Sequence, residues 1–219
     1  MTTPLTKTRQ WLAVLASAIP YLYLSWVLLD VWRFPMQWDN GRWVPFAVGL
    51  LVLEFILLHS GVFIATLAAE SRDTKKQIKI FLGLLLFYGL MTYGIARSTG
   101  SNELMLIFAS VMLGRFISSV LLREGGRDEY MKRAALGIVL YLLLTAASIF
   151  LPVPELGITS SVLAEVYPDR GGGIWEREPE RAIAMACIYF CLLGLAELFV
   201  FGPAENKGTA QNRTYDQAQ

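Results

Sequence analysis

The chain has 219 residues, 55% of them hydrophobic and 17% charged, with a mean hydropathy of +0.48, a balance that excludes both an ordinary soluble domain and a disordered chain. Two cysteines are too few for a disulfide framework, and a single histidine excludes bis-histidine haem ligation and two-histidine zinc sites. A net charge of +1 argues against nucleic-acid binding, so the composition points to a polytopic membrane protein.

A spanning helix needs about 20 predominantly apolar residues, because the hydrocarbon layer is about 30 Å thick and a helix rises about 1.5 Å per residue. The first such stretch covers about 10–30 and contains Pro20. It follows Lys7 and Arg9, and Ala16-Ser17-Ala18 resembles a signal-peptide cleavage site. The apolar run ahead of that site, Trp11 to Leu15, is shorter than the about 7–15 residues that cleavage requires, so a retained helix is expected. Further stretches cover about 44–68, 78–96, 104–122, 134–151 and 182–201. The expectation is a single all-α domain over 1–201, an integral membrane bundle of six transmembrane helices. The polar tail 202–219 has no apolar periodicity and is expected to be disordered.

The loop after the first span carries Trp32, Phe34, Trp38 and Trp43. Indole rings favour the headgroup layer, being apolar with one donor, so these tryptophans, with Trp175 in the last loop, are expected to anchor helix ends at the interface. In the segment 152–181, Thr159 and Ser160 can cap a short helix through Tyr167, with Val162, Leu163 and Val166 on one face. Gly171, Gly172 and Gly173 then break it, and Pro179 suits the first turn of the sixth helix.

Basic residues are retained on the cytoplasmic face during insertion. Twelve lie on one side of the six-helix arrangement, concentrated at 72–79 and 123–133, against six on the other, with Arg115 alone inside a span. The bias puts both termini in the cytoplasm, in a protein of the plasma (inner) membrane.

A charge at mid-helix costs about 2.5–3.5 kcal/mol on an insertion scale. The second span holds fifteen Leu, Ile, Phe and Val between Val44 and Leu67, which together return about 4.5–9 kcal/mol and carry Glu54 into the layer. Four intramembrane ionisable residues therefore stand out: Glu54, His59, Arg115 and Glu197. Glu54 and Arg115 lie at one depth on parallel helices, about 15–17 Å from the outer interface at about 1.5 Å per residue, and are expected to pair. His59 and Glu197 fall about 22 Å down by the same rise and could act as a proton relay. The alternatives are a structural ion pair and a histidine bonded to a backbone carbonyl or a serine.

Ser110, Gly114 and Ser118 recur every four residues and form a small stripe for close helix packing. Cys187 and Cys191 share a helix face but lack further soft ligands, so neither metal nor cofactor is expected. A G-x-S-x-G elbow, an H-E-x-x-H motif and a P-loop lysine are all absent. A thiol hydrolase built on Cys191, His59 and Arg115 would need a thiolate that an apolar helix disfavours. Three functions remain: a structural or accessory subunit, meeting the lipid bilayer and a membrane-protein partner or a second copy; a small transporter or channel built on the four ionisable residues; and, ranked last, an intramembrane enzyme.

Overall fold

The computed structural model describes residues 4–70, 74–121, 127–168 and 170–201, with the side chains of 4–10, 13, 64–70, 74, 77, 114–121 and 127–130 outside the description. Among the described residues the chain is mostly helical, with no strand. The helices are α1 (Pro4–Arg33), α2 (Trp43–Glu70), α3 (Thr74–Thr99), α4 (Glu103–Leu121), α5 (Arg127–Phe150), α6 (Ser160–Val166), α7 (Ile174–Arg177) and α8 (Pro179–Phe199).

Among the described residues, five segments are apolar and long enough to cross a membrane: Val14–Arg33, Trp43–Phe63, Ile78–Thr99, Met131–Phe150 and Pro179–Phe199. In α4 the described apolar stretch is shorter, Glu103–Leu113. The long helices run past the boundaries expected from hydropathy: α1 begins at Pro4 rather than near 10, and α5 at Arg127 rather than near 134. Hydropathy marks the apolar part of a helix, whereas the hydrogen-bond ladder continues into polar residues until something stops it. Pro20 sits inside α1 without ending it.

Local chemistry sets the helix ends. Pro35 disfavours helical torsions at Phe34, and α1 stops at Arg33. At the end of α3, Gly100 adopts φ +66 and Ser101 N–H returns to Ala96 O at 2.9 Å, a left-handed cap that satisfies an otherwise orphaned carbonyl. The α6 helix begins at its expected cap, the Thr159 hydroxyl accepting from Val162 N–H. Pro179 occupies the first turn of α8, where a missing N–H leaves no ladder bond unmade.

Two apolar clusters share α2. One face, with Val44, Ala47, Val48, Leu51 and Leu58, packs with α1, α5, α6 and α8. The other, with Leu50, Leu53, Ile56 and Leu57, packs with Phe81, Tyr88 and Ala96 of α3 and Leu104, Phe108 and Met112 of α4. The most extensive helix pairing joins α1 to α8, the first long helix to the last. It is close because Gly194 lies against Leu22, where an added Cβ would approach Leu22 Cγ to 2.7 Å. Ser25 Oγ donates to Cys187 O at 2.8 Å, and Cys187 Sγ donates back to Ser25 O at 3.4 Å. By contrast α3 and α5 bury few of their apolar residues and expose Leu86, Phe87, Leu90, Leu142, Leu143 and Phe150 among others.

The turn 34–42, the α3–α4 turn and the long loop 151–178 gather at one end of the bundle. Arg42 bridges to Glu103 at 3.6 Å, Gly157 N–H donates to Trp32 O at 3.1 Å, and Gly41 is held against Val166 of α6. The α1–α2 turn is tight, with Asp39, Asn40 and Gly41 in succession at φ 48, 51 and 84. Arg181 closes the α5 C-terminus, its Nη1 donating to the carbonyls of Ser148 (3.0 Å), Ile149 (3.3 Å) and Leu151 (3.0 Å) while its Nε meets Glu178.

Candidate functional site

Glu54 lies on the α2 face that meets α8 and α5. The Tyr189 hydroxyl of α8 donates to Glu54 Oε1 at 3.0 Å, and Tyr189 is fully buried. Tyr141 of α5 stands edge-on to Tyr189, with ring centroids 5.8 Å apart, and its hydroxyl donates to Leu51 O at 3.0 Å, one turn before Glu54. Phe55 packs on Tyr141 at 5.8 Å. The approach of α5 depends on Gly137, where a Cβ would stand 3.2 Å from Leu58 Cδ2 and 3.5 Å from Tyr189 Oη. One carboxylate and two phenols thus meet where three helices converge. Each phenolic hydrogen has an acceptor, as an apolar surrounding demands of a buried hydroxyl.

Glu197 of α8 pairs with Arg133 of α5, Oε2 to Nη1 at 2.9 Å, and the guanidinium lies 5.0 Å from the Phe201 ring centroid. Counted from the sequence, Arg133 belongs to a loop; because α5 begins at Arg127, it stands on a helix and its long stem reaches the carboxylate of α8. His59 sits over Phe55 at 4.0 Å between centroids, with Nδ1 2.9 Å from Phe55 O. A carbonyl only accepts, so Nδ1 carries the hydrogen of this bond. His59 and Glu197 thus each have a separate contact. The side chains of Arg115, Gly114 and Ser118 lie outside the described residues, and with them the expected Glu54–Arg115 pair and the small-residue stripe; Ser110 of that stripe is exposed.

The tryptophans are tied to the bundle. Trp38 Nε1 donates to Asp30 Oδ2 at 2.9 Å, Trp32 Nε1 to Pro154 O at 3.0 Å and Trp175 Nε1 to Ser148 Oγ at 3.1 Å. Trp26, Trp38, Trp43 and Phe46 follow one another edge to face, with centroids 5.2–6.5 Å apart. In the last loop burial, and after it the Glu176 carboxylate, push the Tyr167 phenol above its ordinary value. No group of three His, Cys, Asp or Glu is placed to hold a metal ion among the described residues.

Sequence reasoning flagged Glu54 and Glu197 and missed Tyr189, Tyr141 and Arg133. A phenol in the middle of a span was the available signal, since its hydroxyl has to find an acceptor there. No protein-family model, curated protein or solved structure matches the chain.

Proposed function

We propose that the chain is a six-span protein of the plasma (inner) membrane, with both termini cytoplasmic, acting as a structural or accessory subunit of a membrane complex. The observation that carries this reading is the Tyr189 to Glu54 hydrogen bond, which commits the most costly polar group of α2 to a joint with α8 inside the bundle. Arg133 and Glu197 join α5 to α8 in the same manner, and Ser25 and Cys187 join α1 to α8. Polar groups engaged between helices favour a scaffold over a substrate path. Six spans are supported by the 19-residue length of α4, about 28 Å at about 1.5 Å per residue. The excess of Lys and Arg at the end opposite the ordered loops supports cytoplasmic termini.

Purification in mild detergent should recover a larger complex or a homo-oligomer, with Trp32, Trp38, Trp43 or Trp175 near the contact. A monomer that moves a solute across liposome membranes would overturn the subunit role. It would favour the second reading, a small transporter or channel, which the cluster of Glu54, Tyr141 and Tyr189 within the bundle recommends.

A further inference from the structure

α3 leaves most of its apolar surface uncovered and contains no acidic residue along its length. Its N-terminal part presents Lys76 and Lys79, both exposed. Gly83 follows Lys79 at i+4 and Lys76 at i+7, so both lysines stand on the helix face that continues into Gly83. There, Gly83, Leu86, Phe87, Leu90 and Met91 line a shallow notch. Nothing lies within 4 Å of where a Gly83 Cβ would be, so the notch is open at its lysine end. Lys79 to Leu90 spans about 16 Å at about 1.5 Å per residue, close to the about 15 Å that one leaflet of a 30 Å hydrocarbon layer occupies.

We infer that this face of α3 binds one anionic phospholipid, its phosphate between Lys76 and Lys79 and one acyl chain lying along the notch from Gly83 to Met91. Charge and depth select this occupant. A cationic head at the end of an apolar channel one leaflet deep matches a lipid with a negatively charged headgroup and mismatches an apolar helix from a partner, which would leave both lysines unused. The inference rests on the bilayer-spanning reading above and is independent of the subunit role.

The experiment uses the full-length protein in detergent, with phosphatidylglycerol or phosphatidylcholine of the same acyl composition added and bound lipid counted by native mass spectrometry. Each lysine near a headgroup contributes about fivefold, so phosphatidylglycerol is expected to bind roughly thirtyfold tighter than phosphatidylcholine at low salt. Raising the salt should erode that preference as the screening length shrinks. Lys76→Gln with Lys79→Gln should abolish the preference and leave phosphatidylcholine binding unchanged. Gly83→Leu, which fills the notch at an uncrowded helix position, should weaken both lipids with a thermal transition no lower than that of the unmodified protein. Equal binding of the two lipids by the unmodified protein, a preference that survives the lysine changes, or lipid binding indifferent to Gly83→Leu would each overturn the site. Release of the protein from membranes by alkaline carbonate would instead overturn the spanning reading.

Discussion

The Tyr189 hydroxyl meets Glu54 from a different helix, so a single hydrogen links α2 to α8 within the apolar layer. Hydrogen bonds between spanning helices contribute on average about 0.6 kcal/mol and at most about 1.7. Tyr189→Phe should therefore lower stability in detergent by about 0.6–1.7 kcal/mol, while Glu54→Gln, whose amide oxygen still accepts, should lose less. A double-mutant cycle read by thermal unfolding measures the coupling; strictly additive losses would mean that the two side chains act separately. Glu54 was visible in the sequence because an ionised group is conspicuous in an apolar run. Its phenolic partner was not, because equal depth fixes only the level of a contact and the rotation of each helix decides which side chains meet.

At the scale of the element, two glycines make a matched test. Gly194→Ala puts a Cβ 2.7 Å from Leu22 Cγ and 3.3 Å from Leu22 N, so α1 and α8 must part or Leu22 must leave its rotamer, an overpacking worth about 1–3 kcal/mol. Gly83→Ala meets nothing within 4 Å and should stabilise α3 by up to about 1 kcal/mol through helix propensity. Unfolding midpoints that shift in the same direction for both changes would contradict this packing. Arg181→Gln removes the guanidinium from three carbonyls at the α5 C-terminus and should lower stability by about 1–3 kcal/mol, with faster amide exchange confined to the last turn of α5. The long helices and α6 were legible because hydropathy and capping act over a few residues, Thr159 announcing α6 and Pro179 the start of α8, whereas the one-turn α7 after Gly173 was not. What hydropathy left hidden was the role of residues beyond the apolar core, such as Arg133 on the first turns of α5 and Arg181 beneath the loop that follows α5. Their partners lie far away in sequence, at Glu197 and at 148–151, where local patterns carry no information.

Across the whole molecule, the loops 34–42 and 151–178 share one end of the bundle, which puts the C-terminal ends of α2 and α4 and the N-terminal ends of α3 and α5 at the other. With Cys187 and Cys191 replaced by alanine, single cysteines at Thr74 and Ser160 should label from opposite faces of the membrane, cytoplasmic and external respectively. Equal labelling from outside would remove the six-span arrangement. The pairing of α1 with α8 also governs the order of assembly. A ribosome delivers α1 well before α8, so Leu22 and Ser25 await Gly194 and Cys187 until all the intervening helices have been made. The contacts of α2 with α3 and α4 need no such wait, because those helices follow one another directly. One half of the bundle is thus able to consolidate while the later helices are still to be made, and the other closes only when the returning α8 packs against α1 and α2.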